Sequence, residues 1–291
     1  MSKPKILLQL DGDDHASAFD AVVAVDSQVD YLLQYHGVQS EQVQDLIHGA
    51  MFTRGPKDLH RTAVFIGGSS VAHGEQLLTA ATKCFFGPLR VSVMLDANGA
   101  NTTAAAAVLA AARHVDLSQS QVLVLAATGP VGQRAVRLLA RSGAAVRVAS
   151  RSAQRAAEVC AKIESAVAGA KLTAVATGDR EQVATALDGV QAVISAGAAG
   201  IELLPADVRA AATALRVAVD LNAVPPLGIG GVEFADQAVD RDGTLCYGAI
   251  GVGGTKMKIH KAAIAELFES NDRILDAEEI FEIGKSLATS A

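Results

Sequence analysis

Gln121-Val122-Leu123-Val124-Leu125-Ala126-Ala127-Thr128-Gly129-Pro130-Val131-Gly132 is the stretch whose reading decides the fold. Its first half is an apolar, β-branched run that predicts a buried strand, and residues 131–142 continue as an amphipathic helix. Between them lies Ala127-x-Gly129-x-x-Gly132, the GxGxxG dinucleotide fingerprint with alanine at its first position. Gly129 lets backbone approach a pyrophosphate, and Gly132 lets the helix pack on the strand. Thr128, Pro130 and Val131 complete the turn, and the helix start offers free N–H groups to an anion. Ala127 is expected to make the tight turn despite its Cβ. The competing reading of the pattern alone is a tight strand-to-helix turn with no ligand.

A second strand is predicted over Ala145–Ser150, and it ends Ser150-Arg151-Ser152 with Arg155 one helical turn later. An NAD site places an acid at this point to bind the ribose 2′-hydroxyl. Here the Ser150 hydroxyl with the Arg151 and Arg155 guanidinium groups suits a 2′-phosphate, which predicts NADP. As structure alone, the two arginines would be exposed helix-start residues.

The same alternation extends in both directions. Strands are predicted at Lys5–Leu10, Thr62–Ile66, Val91–Leu95, Leu172–Thr177, Ala192–Ser195 and Val217–Leu221. Helices are expected from Ser17 as N-cap to about Val25, over Glu41–Ile47 behind a Ser40 cap, and over 71–83, 103–113, 152–167, 179–187 and about Asp276–Leu287. This βαβα order implies an α/β fold of two domains: a smaller N-terminal α/β domain over 1–103 and a Rossmann-like NADP-binding domain over 104–269, with a cleft between them. Residues 270–291 are expected to pack back on the first domain. In a doubly wound sheet ligands sit beyond the carboxyl ends of strands, so Ala196-Gly197-Ala198 and Asn222 are expected to line the nicotinamide half.

Composition agrees with close packing. Half of the 291 residues are hydrophobic and 19% are charged, which excludes a disordered chain. Alanine supplies 56 residues and glycine 26, against 8 Phe, 3 Tyr and no Trp, so the core is built from small and aliphatic side chains. Three widely spaced cysteines argue against a disulfide framework or a zinc site. The apolar run after Met1-Ser2-Lys3-Pro4-Lys5 is too short for a signal segment, and no long apolar stretch predicts a membrane span; a soluble, cytoplasmic protein is expected. Net charge is -6, distributed as -4 over 1–103, +3 over 104–265 and -5 over 266–291. The middle suits an anionic ligand but is too weakly basic for nucleic acid.

Hydride transfer from an alcohol also requires a proton carrier. No YxxxK pair and no nucleophile elbow occurs, and the seven histidines are scattered. His260 stands out because Gly248-Ala249-Ile250-Gly251-Val252-Gly253-Gly254 leads to Lys256 and His260, four residues apart and on one helix face. The glycine-rich part reads as a mobile loop bringing a cation to the site, or as a plain hinge. A polar cluster, Asp96-Ala97-Asn98-Gly99-Ala100-Asn101-Thr102-Thr103, follows a strand; Asn98, Asn101, Thr102 and Thr103 read as a hydrogen-bonding rim for a polar heterocycle, and equally as a turn and helix cap.

These segments together resemble one family. Phe86-Gly87-Pro88, Asp96-x-Asn98-Gly99-x-Asn101-Thr102-Thr103, Thr128-Gly129-Pro130-Val131-Gly132, Gly200-Ile201-Glu202-Leu203-Leu204, Pro225-Pro226-Leu227-Gly228-Ile229-Gly230-Gly231 and Gly253-Gly254-x-Lys256 are similar to the bacterial NADP-dependent methylene-tetrahydromethanopterin dehydrogenases, across nearly the whole chain. Ala127 departs from the family's glycine. The resemblance implies hydride transfer from the methylene group of a tetrahydromethanopterin-type carrier to NADP, in the one-carbon metabolism and formaldehyde oxidation of methylotrophic bacteria. Some members also use tetrahydrofolate. The methenyl product is a cation stabilised by its own nitrogens, which explains the missing acid and base. Lys256, the expected catalytic residue, and His260 would then orient substrate, with Phe19 and Asp20 against the pterin. A homo-oligomer, a trimer, is also implied, and no metal. The open alternatives are a methylenetetrahydrofolate or shikimate dehydrogenase of similar build, and a non-catalytic NADP-binding regulator.

Overall fold

A computed structural model describes residues 3–289. The chain forms two compact units, one comprising residues up to Thr102 and those from Met257 onward, the other Thr103–Lys256. The return to the first unit therefore falls at Met257, earlier than the expected 270.

The first unit contains β1 (Ile6–Leu10), α1 (Ala18–Asp26), β2 (Tyr31–Tyr35), α2 (Val43–Phe52), β3 (Thr62–Ile66), α3 (Val71–Lys83) and β4 (Ser92–Leu95). α4 (Ala100–Ala112) then carries the chain into the second unit. There follow β5 (Gln121–Leu125), α5 (Pro130–Arg141), β6 (Ala145–Ser150), α6 (Ala153–Ala166), β7 (Lys171–Ala176), α7 (Arg180–Leu187), β8 (Ala192–Ser195), α8 (Ala206–Ala211), β9 (Val217–Asp220), β10 (Gln237–Arg241) and β11 (Thr244–Tyr247). α9 (Ala249–Glu266), β12 (Ile274–Leu275) and α10 (Ala277–Thr289) close the chain.

The first sheet has the order β12-β4-β3-β1-β2, all parallel, and the second β10-β11-β9-β8-β5-β6-β7, parallel except for the β10–β11 hairpin. Each is doubly wound. Strand order reverses between β1 and β3 in one unit and between β5 and β8 in the other, and such a reversal opens a crevice at the strands' carboxyl ends. Central strands β3, β4, β8 and β9 are buried along their whole length, which is why they read as unbroken apolar runs. Ser17, Ser152 and Asp179 cap α1, α6 and α7 by accepting the N–H three residues on.

Two local expectations are corrected. Ser40 is not a cap; it starts a short 3-10 turn that Gln39 and Gln42 close with a reciprocal capping box. The glycine-rich stretch 248–254 is not a loop, because α9 begins at Ala249. A Cβ on Gly248 or Gly251 would run into the backbone of Glu233–Asp236. The glycines serve a close helix-to-backbone approach that sequence-based helix propensity does not register. Arg241 clamps that backbone, donating from Nε and an Nη to the two carboxylate oxygens of buried Asp236 at 2.6 and 2.7 Å.

Candidate functional site

In the second unit the fingerprint lies at the β5/β8 crevice. Gly129 is the N-cap of α5 with Pro130 in its first position, the placement in which a missing proline N–H costs nothing. The N–H groups of Val131 and Gly132 fall in the first turn, where helix geometry leaves them without intrahelical acceptors. The glycines divide the work. A Cβ on Gly132 would stand 2.7 Å from both the Ala126 carbonyl oxygen and the Ala127 Cα, so bare backbone is needed for α5 to rest on the strand end. A Cβ on Gly129 would meet nothing nearer than 3.6 Å, and its φ of -75° suits any residue. The chain itself therefore does not require glycine at 129; a bare Cα there leaves room for a ligand, and the site fits a dinucleotide pyrophosphate.

The tight turn falls one residue earlier than expected. Ala126 takes the left-handed conformation (φ 52°), while Ala127 is buried and donates its N–H to the Ala149 carbonyl at 2.9 Å. Gln133 reaches back from α5 to donate to the Thr128 carbonyl at 2.8 Å and closes the loop.

At the end of β6, the Ser150 hydroxyl accepts the Ser152 N–H, and the Ser152 hydroxyl accepts the Arg155 N–H. Arg151 and Arg155 are exposed. Ser150 is buried, so its hydroxyl shapes the turn, and the two guanidinium groups are the parts presented to solvent.

The strands across the crevice share one scaffold. The Asp220 carboxylate, sealed at the end of β9, accepts the Asn222 N–H at 3.1 Å and the Ile229 N–H at 2.9 Å. Burial pushes its carboxyl upward, against these amide donors and the neighbouring Ser195 hydroxyl. Asn222 is buried as well: its side chain donates to the Ala198 and Pro226 carbonyls and accepts the Val224 N–H. It ties the loop after β8 to the loop after β9 and does not project outward. Ala196 and Gly197 are half-buried and Ala198 is exposed. The Ala196 carbonyl is 3.9 Å from the position of a Cβ on Gly129, so the loops after β5 and β8 meet.

In the first unit, the β1/β3 reversal holds a cavity of about 140 Å³ lined by Gly12, Asp13, Gln39, Gly67, Gly68, Ser70 and His73. Beside it is a cluster that sequence reading found only in part. Asp96, at the end of β4, accepts the N–H groups of Asn101 (2.9 Å) and Thr102 (3.0 Å) on one oxygen and the Thr102 hydroxyl (2.7 Å) on the other. It caps α4. Asn101 and Thr102 are consequently buried; Asn101 also donates to the Leu95 carbonyl and to Asp276. Neither forms an open rim, because the helix start consumes their polar groups. Asn98 is exposed at φ 55°, and Thr103 is half-buried.

His260 is also wholly buried, which corrects its expected place against substrate. Its ring stacks on Phe65 (centroids 5.6 Å, planes 24° apart) and lies 6.4 Å from Phe19, with Nδ1 4.0 Å from an Asp96 oxygen. Phe19 is 53% exposed and Asp20 is half-buried. Burial raises the Asp20 carboxyl; His260 and the Ser17 hydrogen bond pull it down, and Asp96 and Asp11 push it further up. The groups that reach solvent are thus Phe19, Asp20 and Asn98, with His260 and Asp96 behind them. Lys256, one turn before His260 on α9, is half-buried. Asp11, buried and accepting the Asp13 and Ser17 N–H groups, was not anticipated, since one aspartate after a strand carries no distinctive spacing. Among the described residues, no His, Cys, Asp and Glu group could hold a metal ion.

Comparison with solved structures finds the same architecture. Shikimate 5-dehydrogenase from Listeria monocytogenes superposes with a TM-score of 0.55 at 15% identity, covering 96% of each chain. Quinate dehydrogenase from Corynebacterium glutamicum gives 0.51 at 15%, over 98% of this chain and 100% of that one. Residues 18–98 match the family model described as methylene-tetrahydromethanopterin dehydrogenase, N-terminal. The NAD(P)-dependent methylenetetrahydromethanopterin dehydrogenase of Methylorubrum extorquens is 29% identical over 284 residues, 94% of this chain and 95% of the relative. The bifunctional protein MdtA of the same organism is 41% identical over 290 residues, 99% of this chain and all of the relative. With its two doubly wound units, its fingerprint crevice and that identity over its whole length, the chain belongs to the methylene-tetrahydromethanopterin dehydrogenase family.

Proposed function

We propose that the protein oxidises methylene-tetrahydromethanopterin to the methenyl form with reduction of NADP, as an enzyme of one-carbon metabolism. The observation that carries this reading is the full-length identity to family members, one of them named for this activity. The fingerprint glycine whose bare Cα the protein does not itself need supports the cofactor half.

When bound, NADP supplies the hydride acceptor. The chain's own residues bind and orient. The Val131 and Gly132 amides at the start of α5 take the pyrophosphate, with Thr128, Gly129 and Pro130 shaping the approach. Arg151 and Arg155 take the 2′-phosphate, which favours NADP over NAD. The small residues Ala196, Gly197 and Ala198, held by Asn222, give the nicotinamide side a close backbone wall. Phe19 packs on the pterin, Asp20 accepts from its amino group, and Asn98 and Lys256 fix its polar edge. No proton carrier is needed, because the positive charge of the product is shared between the two nitrogens that flank the reacting carbon.

The carrier preference is tested by assaying NADP reduction with methylene-tetrahydromethanopterin and methylene-tetrahydrofolate in parallel. Turnover with the first supports the reading, and turnover with both makes this chain a dual-carrier enzyme. Tight NADP binding without turnover on either carrier overturns it in favour of a regulatory role. No helix among the described residues is long and apolar enough to cross a membrane. We infer a cytoplasmic homo-oligomer.

A further inference from the structure

Two neighbouring central strands of the second unit end in polar residues that stand in register, β8 in Ser195 and β9 in Asp220, and both are sealed from solvent. A carboxylate at that depth is costly unless its oxygens meet donors. The donors here are neutral. Oδ1 accepts the Asn222 N–H at 3.1 Å and Oδ2 the Ile229 N–H at 2.9 Å, and the Gly228 backbone and Ser195 hydroxyl also bond to it. We propose that Asp220 is a positioning residue for hydride transfer: one carboxylate pins both ends of the loop after β9 and, through it, fixes the backbone of Ala196–Ala198. The proposal rests on the reading of that backbone as the nicotinamide wall.

Two lines of contact run from the carboxylate to the wall. Along the first, the buried Asn222 side chain accepts the Val224 N–H at 2.9 Å and donates to the Pro226 and Ala198 carbonyls at 3.2 and 3.5 Å. Along the second, Gly228 lies directly on the acid: a Cβ there would stand 2.4 Å from Ser195 Oγ and 2.7 Å from Asp220 Oδ1. The Gly228 carbonyl accepts the Leu203 and Leu204 N–H groups at 2.8 and 3.1 Å, and the Leu204 carbonyl accepts the Gly230 N–H at 2.8 Å. Segment 198–204 is therefore held at its start by Asn222 and at its end by Gly228. Gly197 in turn rests on Leu203, whose Cδ1 would be 2.6 Å from a Cβ at 197. Volume alone does not explain an acid at 220. An amide has the same shape, but its NH2 end would face either the Asn222 or the Ile229 N–H, and that end of the loop would come free. A wall displaced by 1 Å can cost about 100-fold in rate, because hydride transfer needs the ring at a fixed distance and angle.

Asp220→Asn in the full chain tests this with probes that separate the two halves of the nucleotide. 2′,5′-ADP carries the adenosine and the 2′-phosphate but no nicotinamide, and its affinity should stay within about twofold of wild type. Emission from the nicotinamide of bound NADPH should move back toward that of the free nucleotide. In turnover, kcat should fall about 30-fold while KM for NADP changes by less than about threefold. Asn222→Ala removes only the side-chain ties to Ala198, Val224 and Pro226, and should give the same pattern with a loss of about tenfold in kcat. It decides the question if Asp220→Asn does not fold. Unchanged NADPH emission and kcat in the Asn222 variant, or a 2′,5′-ADP affinity that falls in step with kcat, overturns the proposal. A wild type that turns over neither carrier overturns the functional reading instead, and NADPH emission in the variants still decides the role of Asp220.

Discussion

His260 Nδ1 lies 4.0 Å from an Asp96 oxygen, with both side chains sealed from solvent. One imidazole thus stands in a cluster of carboxylates, and His260, Asp96 and Asp11 all act electrostatically on Asp20. The ring pulls the Asp20 carboxyl down from behind, and Phe19 and Asp20 are the surface proposed to meet substrate. His260→Phe keeps the stacking on Phe65 and removes the imidazole nitrogens. It should destabilise the protein by about 2 kcal/mol, as leaving a buried polar group without its partner does. His260→Gln should lose less. In thermal melts and pH profiles of kcat/KM for the pterin, both variants should move the acidic limb to higher pH, because Asp20 loses the group that holds its carboxyl down.

The role proposed for Asp20 comes with a cost in stability. Burial holds its folded carboxyl above the ordinary aspartate range. The folded state therefore holds the proton more tightly than the unfolded one, and the stability this confers is complete at low pH and lost as pH rises through the folded value. At neutral pH the ionised group is a net burden. Asp20→Asn should melt no lower than wild type at neutral pH, yet KM for the pterin should rise several-fold. A melting temperature that falls together with activity would mean that Asp20 is there for structure.

The two fingerprint glycines should separate folding from binding. Gly132→Ala drives a Cβ against the Ala126 and Ala127 backbone and should cost about 2 kcal/mol of stability. Gly129→Ala has room within the chain and should fold like wild type while losing NADP affinity. Denaturant unfolding alongside NADP titration of both variants checks this.

Arg151 should set the nucleotide preference. Arg151→Asp removes a charge-assisted hydrogen bond and adds repulsion toward a 2′-phosphate, so KM for NADP should rise roughly 100-fold while KM for NAD stays level or falls. Steady-state kinetics with both nucleotides decides it.

Most of the parallel strands were legible in the sequence because they are buried on both faces and read as apolar runs bounded by small or polar residues. β2 was not. Its side chains are largely exposed and it pairs on one side only, so neither alternation nor a continuous apolar run marks it. The β10–β11 hairpin did carry a signal, Asp242-Gly243 with positive φ at both positions, that the helix–strand alternation obscured. The fingerprint crevice was readable because its signal is local: glycines, a helix start and a strand end close together in sequence. The cluster in the first unit was less so, because Asp11, Asp20, Asp96 and His260 come together only through tertiary folding. The burial of His260, Asn101 and Thr102 has the same origin, as does the helical state of a glycine-rich segment that packs on the backbone of Glu233–Asp236.

The central claim is direct hydride transfer from the carrier's methylene carbon to NADP, with the protein positioning both and carrying no proton. The most direct test supplies carrier whose methylene group is fully deuterated and analyses the reduced nucleotide by mass spectrometry. One deuterium per NADPH formed, matched by an equal amount of methenyl product, is the predicted result. Reduced nucleotide carrying solvent hydrogen instead, or no reduction despite bound NADP and carrier, would contradict it.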